Sequence, residues 1–336
     1  MRTRATRVTR RVAAVDCGTN SLRLLIADID LDRAELTDVA RRMEIVRLGQ
    51  GVDQTGRLAP EALARTTGVL RDYADVIADT GAGAVRMVAT SATRDASNTA
   101  EFTRQVKEIL GVAPEVLTGS QEAALSFTGA TAELAAAPGA ARFRARFRGP
   151  FLVVDIGGGS TEFVLGQAMA AGREEAGELA VQAISVDIGC VRMTERHLHG
   201  DPPSGAELAA ATADIDAALD AVTGAVPVRQ ARTLIGLAGS VTTVAGIAMG
   251  LPAYDAARIH HARVSAAGVH EVTRSLLAQT RAARAAIGVM HPGRVDVIGG
   301  GALILDRIMQ RFGFGEVLVS EHDILDGIAW SLAGEP

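Results

Sequence analysis

The chain has 336 residues, of which 48% are hydrophobic and 22% charged, with a formal net charge of -5 at pH 7. This length suffices for about two domains, and the composition excludes an intrinsically disordered chain. A slightly acidic chain also lacks the large basic face that a duplex-coating protein needs, so no nucleic-acid duplex is expected as a partner.

The cysteine and lysine content excludes further classes of protein. Cys17 and Cys190 show neither zinc-ligand spacing nor a disulfide framework, and no apolar leader segment follows the arginine-rich stretch Met1–Arg11. We therefore expect a cytoplasmic protein. Lys107 is the one lysine of the chain, which excludes a Walker-type phosphate loop because that loop needs a lysine among its glycines.

The first predicted element is a strand, a tight turn and a second strand. An apolar run at Val12–Val15 stops at Asp-Cys-Gly-Thr-Asn-Ser, residues 16–21, and resumes at Leu22–Ile29. The same form returns at Phe151–Val154, which leads into Asp-Ile-Gly-Gly-Gly-Ser-Thr-Glu, residues 155–162, and then into a further apolar run. The chain is therefore predicted to contain two similar halves.

Helices and strands alternate between these two turns. Pro60 and Gly81 bracket one predicted helix, and Thr118 with Gln121 has the spacing of a capping box that would start another. The alanine- and arginine-rich segment 136–150 is predicted to be a linker or an insertion.

The second half continues the alternation. We expect a capped helix that starts at Ser204 with Glu207, a buried strand at Thr233–Leu237 and a long helical stretch at Ser265–Ile287. A strand at Asp296–Ile298, which ends in three glycines, and two final helices at Ala302–Phe312 and His322–Ala333 should follow. This pattern predicts an α/β fold of two related domains, residues 1–127 and 128–336, with a cleft between them.

One segment is long and uncharged enough to span a membrane. Residues Thr233–Ala253 carry no charge, but glycines and Pro252 interrupt the run. We interpret it as a buried strand followed by a small-residue helix, and we expect no association with a membrane.

The two Asp-x-Gly turns are suited to phosphate. Glycine lets backbone N–H groups approach an anion without a Cβ in the way, and the neighbouring hydroxyl groups add donors. The leading aspartate would repel phosphate, but it can hold a magnesium ion that binds phosphate. Two such turns that face each other across a cleft could hold a phosphate chain from both sides.

Six motifs together resemble the exopolyphosphatase and guanosine pentaphosphate phosphohydrolase (Ppx/GppA) family in its short, two-domain form. The resemblance covers nearly the whole chain and implies two ribonuclease-H-like domains of the actin, sugar-kinase and Hsp70 superfamily. The motifs are residues 16–21, ATSATRDASN at 89–98, TGSQEA at 118–123, VDIGGGSTE at 154–162, GCVRMTE at 189–195 and GLAGSVTT at 236–243.

The resemblance assigns roles to individual residues. Glu122 falls on the family's general base, and Arg94 falls on an arginine that contacts phosphate. A glutamate in the first turn of a helix is also stabilised as the anion, ready to accept a proton. The residues alone leave a second interpretation of Arg94 open, namely an ion pair with Asp95 at the surface.

The resemblance also implies a divalent-cation site and a phosphate path. Mg²⁺, or Mn²⁺ in its place, is expected on Asp16, Asp155 and Glu162. The expected phosphate-binding residues are Gly18, Thr19, Asn20, Ser21, Gly157, Gly158, Gly159, Ser160, Gly239 and Ser240, the last two in a third turn.

The function implied is that of an exopolyphosphatase, which releases orthophosphate from the end of inorganic polyphosphate with the help of Mg²⁺. The short form implies a preference for shorter chains, and the family implies a homodimer. Two alternatives stay open at this point: a 5'-phosphohydrolase of guanosine pentaphosphate (pppGpp), with ppGpp as a related ligand, and a sensor that binds polyphosphate or alarmone without hydrolysis.

Overall fold

The structure is a computed structural model and describes residues 9–30, 35–136, 148–167 and 181–333, without the side chains of 133–136. Most of the arginine-rich stretch at the N-terminus and residues 137–147 of the predicted linker lie outside the described residues.

The first sheet is built around the first Asp-x-Gly turn. Its strand order is β3-β2-β1-β4-β5, and β2 runs antiparallel to the other four strands. Apolar side chains of β1 alternate between the two faces of the sheet, so both faces are buried. The strands are β1 (Thr9–Cys17), β2 (Ser21–Asp30), β3 (Glu35–Ile45), β4 (Ala84–Ala89) and β5 (Glu115–Val116).

The second sheet repeats this arrangement and adds one edge strand. Its order is β10-β11-β9-β6-β7-β8, in which β7 and β10 are the antiparallel strands. The strands β8, β7, β6, β9 and β11 therefore correspond to β3, β2, β1, β4 and β5, the ribonuclease-H-like duplication that the resemblance predicts. The strands are β6 (Phe151–Ile156), β7 (Thr161–Gly166), β8 (Gln182–Val186), β9 (Thr233–Leu237), β10 (Arg263–Ser265) and β11 (Glu316–Val319).

Helices cover the outer faces of the two sheets. Against the first sheet pack apolar residues of α2 and α4, with the short α1 and α3 beside them. Against the second pack α6 to α10 and α12, and the short α11 follows α10. These helices are α1 (Val52–Thr55), α2 (Pro60–Thr80), α3 (Ser91–Asp95), α4 (Thr99–Leu110), α6 (Cys190–His197), α7 (Gly205–Ala225), α8 (Ala238–Ala248), α9 (Ala256–Ile259), α10 (Ala266–Ala278), α11 (Arg281–Ala285) and α12 (Ile298–Phe312).

Two helices lie between the sheets and pack against each other. Helix α5 (Gly119–Ala136) covers the inner face of the second sheet, and α13 (Ile324–Ala333) covers the inner face of the first. They approach so closely that a Cβ on Gly129 would lie 1.8 Å from the carbonyl oxygen of Asp323. The predicted division at residue 127 falls inside α5, and α13 packs on the first sheet although the sequence placed it in the second domain.

Most predicted elements are present, with two corrections. The capping boxes at Ser204 and at Thr118 form as predicted. The predicted strand at Asp296–Ile298 is wrong: a turn leads there directly into α12, whose first residues include the three glycines. The long helical stretch after Ser265 is two helices, α10 and α11, rather than one.

The glycine run at the start of α12 has a packing reason. A Cβ on Gly301 would lie 2.1 Å from the hydroxyl oxygen of Ser240, and one on Gly300 would lie 2.8 Å from the carbonyl oxygen of Cys190. The glycines let the helix approach the cleft and do not form a turn. Within the described residues, no helix is long and apolar enough to cross a membrane.

Candidate active site

The two Asp-x-Gly turns close in the same way. In the first, the N–H of Gly18 donates to the carbonyl of Ser21 at 3.0 Å; in the second, the N–H of Gly157 donates to the carbonyl of Ser160 at 3.0 Å. Each turn joins the first two strands of its sheet, so the duplicated fold brings both to the cleft.

The turns are in direct contact across the cleft through Thr19. Its hydroxyl group shares a hydrogen bond of 2.9 Å with Ser91, and a Cβ on Gly158 would lie 2.8 Å from the Cβ of Thr19. Glycine is therefore required at position 158 because the opposite turn already occupies the space that a side chain would need.

A narrow cavity of about 100 Å³ lies between the turns. Arg94, Gly159 and Glu162 do not line it. Gly159 packs against Thr19 and Ser91, and Glu162 accepts a hydrogen bond from Ser185 at 2.7 Å. The predicted site residues that line it are Asp16, Gly18, Thr19, Asn20, Ser21, Glu122, Asp155, Gly157, Gly158, Ser160, Gly239 and Ser240.

Backbone donors surround this cavity. Within the described residues, the N–H groups of Thr19, Asn20 and Gly158, which line it, donate to no backbone acceptor. The predicted third turn is the start of α8, where Ala238 has a left-handed φ of 67°. Gly239 and Ser240 thus lie in a helical first turn, where unpaired N–H groups and the helix dipole favour an anion.

Asp16 is held by an arginine from the neighbouring strand. Arg23 donates to its Oδ2 through Nε at 2.9 Å and Nη2 at 2.7 Å, and Arg23 also pairs with Asp323. The other oxygen, Oδ1, is buried and has no hydrogen-bond partner in the part of the chain that the structure describes. Burial raises the pKa of Asp16 even though Arg23 opposes it.

Among the described residues, no arginine is hydrogen-bonded to Asp155 or Glu162, the acidic pair of the second turn. Burial, followed by the charge of Asp323, raises the pKa of Asp155 to about 6, although Ser126 donates to its Oδ2 at 2.7 Å. Burial and the nearby Asp155 raise the pKa of Glu162 to about 7. Both carboxyl groups therefore gain from any cation that enters this region.

These observations fit a small hard cation. Oδ1 of Asp16, without a partner among the described residues, and the buried carboxyl group of Asp155, with its raised pKa, are both suited to a positive charge. Among the described residues no three acidic, histidine or cysteine side chains converge on one point. This arrangement fits Mg²⁺, which keeps several water molecules and takes only one or two carboxylates together with phosphate oxygens. Glu162 fits less well, since it does not line the cavity.

Glu122 forms part of the cavity wall from the first turn of α5. It is buried, and Arg94 donates to its Oε2 at 3.2 Å and to the carbonyl of Leu117 at 2.9 Å. Burial, assisted by the charge of Glu162, raises the pKa of Glu122 well above its usual range. Burial therefore outweighs the stabilisation of the anion that we expected from the start of the helix.

Arg94 lies differently from both interpretations: it neither lines the cavity, where it would contact phosphate, nor pairs with Asp95. Asp95 accepts a hydrogen bond from Arg192 at 2.6 Å, so the surface ion pair of Arg94 with Asp95 is wrong. Arg94 reaches Glu122 instead.

Sequence reasoning missed several residues of the cavity wall. Arg23 and Arg294 line it, and Arg294 packs so tightly on Gly239 that a Cβ there would lie 2.3 Å from the guanidinium carbon. Arg23 interrupts the apolar run of β2, which was an available signal. Arg294 ends a 3-10 turn, Pro292–Arg294, and no sequence pattern singles it out.

A second cavity of about 430 Å³ adjoins the first and shares Arg23, Gly239 and Arg294 with it. Its wall combines apolar and polar side chains, among them Met290 and Tyr254; the hydroxyl group of Tyr254 bonds to Glu321 at 2.7 Å.

Comparison with known proteins gives the family. The model of the Ppx/GppA phosphatase family matches residues 25–335. The chain belongs to this family. It is 51% identical to the Exopolyphosphatase 2 of Mycobacterium tuberculosis over 96% of this chain and 99% of that protein.

A solved exopolyphosphatase-like protein matches with a TM-score of 0.88 at 42% identity, covering 96% of this chain and 98% of that one. A more distant relative, 28% identical over 96% of this chain and 59% of its own length, is a guanosine-5'-triphosphate,3'-diphosphate pyrophosphatase of Aeromonas salmonicida.

Proposed function

We propose that this protein is an exopolyphosphatase, which hydrolyses the terminal phosphoanhydride bond of inorganic polyphosphate and releases orthophosphate. The observation that carries the proposal is the narrow cavity between two touching glycine turns, with Glu122 in its wall. Its high identity to a protein named Exopolyphosphatase 2 supports the same activity.

The residues at the cavity have different roles in the proposed hydrolysis. The N–H groups of the two turns and of the first turn of α8 bind phosphate oxygens and stabilise the charge that develops on them. Glu122 accepts the proton of the attacking water, for which its raised pKa makes it a stronger base. Arg94 acts through Glu122, because it holds that carboxylate and does not line the cavity.

A divalent cation completes this proposal. When bound, Mg²⁺, or Mn²⁺ in its place, neutralises charge on the phosphate oxygens. Asp16 and Asp155 would hold it, since both line the cavity and Oδ1 of Asp16 lacks a partner. Glu162 does not line the cavity and would act through its charge, next to Asp155 on the neighbouring strand.

The test is phosphate release from short polyphosphate, long polyphosphate, pppGpp and ATP, each with Mg²⁺ and with a chelator. Wild type is compared with Glu122→Gln, which keeps the shape and removes the base. We expect fastest release from short polyphosphate and a loss of about 100-fold or more in the variant. Tight binding without release from any substrate would contradict the enzyme and leave the sensor.

A second candidate activity is the hydrolysis of pppGpp. The adjoining cavity of about 430 Å³ favours it, because its mixed apolar and polar wall could take a nucleoside while the phosphates enter the narrow cavity. Equal or faster release from pppGpp than from short polyphosphate would make it the main substrate. We further propose a homodimer, which sedimentation of the purified protein tests, and a cytoplasmic location, which fractionation of cells tests.

A further inference from the structure

Arg192, in the first turn of α6, contacts three separate elements of the molecule. Its Nε donates to the carbonyl of Gly159 at 2.7 Å, its Nη2 to Asp95 at 2.6 Å, and its Nη1 pairs with Asp53. Gly159 belongs to the second turn, whereas Asp53 and Asp95 belong to α1 and α3 of the first domain. One guanidinium thus links both domains immediately behind the cavity.

Helix α6 holds the backbone of the second turn from one side. The N–H groups of Cys190 and Val191 donate to the carbonyls of Gly157 and Gly158, both at 2.9 Å. The side chain of Arg192 donates a hydrogen bond to the next carbonyl, that of Gly159. With these carbonyls held by α6, the orientation of the turn's phosphate-binding N–H groups depends on this helix.

The guanidinium of Arg192 is also linked, through Asp95 and Arg94, to Glu122. Asp95 directly follows Arg94, and Arg94 donates to Glu122. Arg192 therefore fixes the second turn relative to the short helix that orients the general base. Its side chain is only 11% exposed, and its hydrogen bonds to carboxylates are charge-assisted and directional.

A second arginine strengthens the link. Arg196, one turn further along α6, donates to both oxygens of Asp53 at 2.6 and 2.8 Å. The carboxylate of Glu195 accepts from the N–H of Gly51 at 3.2 Å. The contact between α6 and the first domain is thus a network, in which Arg192 alone also reaches the phosphate turn.

We propose that Arg192 is a positioning residue for hydrolysis: it sets the placement of the second phosphate turn relative to Arg94 and Glu122. This rests on the proposed exopolyphosphatase activity. Because a displacement of about 1 Å can lower a rate about 100-fold, its loss lowers kcat more than it raises KM.

The experiment compares Arg192→Met with wild type in phosphate release from short polyphosphate. Arg307→Met is the matched control, since Arg307 holds Asp216 with Nε and Nη2 at 3.0 and 2.8 Å within the second domain. Asp95→Asn, alone and combined with Arg192→Met, tests the coupling. Hydrogen exchange of segments 91–95 and 157–160 is followed in parallel.

We expect Arg192→Met to lower kcat at least about 10-fold while KM changes by less than about 3-fold, with faster exchange in both segments and no change in the control. The double variant should be no slower than Arg192→Met alone.

Unchanged kcat, a change in KM alone, or multiplying effects in the double variant would overturn the proposal. If Arg192→Met does not fold, Asp95→Asn must still lower kcat with the same exchange signature, or the proposal fails. A wild type that releases no phosphate refutes the proposed activity instead; the exchange of Arg192→Met then decides whether this residue holds the turn.

Discussion

The two Asp-x-Gly turns of the cleft have the same backbone arrangement but differ in the charges of their side chains. Asp16 lies opposite Arg23 in the register of β1 and β2, and Asp155 lies opposite Glu162 at the same place in β6 and β7. The first turn therefore pairs its aspartate with an arginine, whereas the second places two carboxyl groups side by side. Burial and the charge of Asp323 raise the pKa of Asp155, and burial and the charge of Asp155 raise the pKa of Glu162. The first turn thus carries an internal ion pair, and under the proposed function the second turn supplies the carboxylate that gains more from a cation.

The largest expected effect comes from removing the arginine of the first turn. Arg23→Met leaves the buried Asp16 and Asp323 without their counter-charge and should lower the free energy of unfolding by about 3–5 kcal/mol. Glu162→Gln at the matching position removes a repelling charge and should cost less than about 1 kcal/mol. Urea denaturation at pH 7 measures both, and equal losses would contradict the comparison.

The pH dependence of stability should differ between wild type and Glu162→Gln. Because the folded-state pKa values of Asp155 and Glu162 are raised to about 6 and about 7, the folded state binds more protons than the unfolded state above pH 4. Their contribution to stability is thus present at acid pH and is lost as the pH rises towards 7.

The loss should amount to about 5 kcal/mol in wild type and to about 2 kcal/mol in Glu162→Gln, where only Asp155 contributes. The measurement is urea denaturation from pH 4.5 to 7.5 with a chelator present. If the free energy of unfolding changed equally with pH in the two proteins, Asp155 and Glu162 would not be a charge-coupled pair.

The duplication itself could be predicted from the sequence, because strands with Asp-x-Gly between them form a local pattern. The grouping of Glu122 with both turns required the family resemblance, since nothing local links position 122 to position 16 or 155. The pairing of Arg23 with Asp323 could not be predicted, because it depends on the return of α13 to the first sheet. The strand expected at Asp296–Ile298 failed for a related reason: the glycines after it serve close packing, which a local pattern cannot distinguish from a turn.

The two turns should also respond differently to an added methyl group. In Gly158→Ala the new Cβ meets Thr19 at 2.8 Å, so overpacking should cost about 1–3 kcal/mol and reduce activity. In Gly18→Ala the nearest atom is a carbonyl oxygen at 3.6 Å, an ordinary contact, and stability should change by less than about 1 kcal/mol. Urea denaturation of the pair checks this, and a tolerated Gly158→Ala would mean that the turns do not touch in solution.

The smallest effect concerns Mg²⁺ without substrate. A ligand that binds only the folded state at ten times its Kd stabilises it by about 1.4 kcal/mol, so Mg²⁺ should raise the Tm of wild type by a few degrees. Asp155→Asn should abolish this increase, because the carboxylate with no bonded arginine supplies most of the attraction. Asp16→Asn should reduce it less, since Arg23 already offsets that charge. A larger loss in Asp16→Asn would reverse the assignment and place the ion on the partnerless Oδ1 in the first turn.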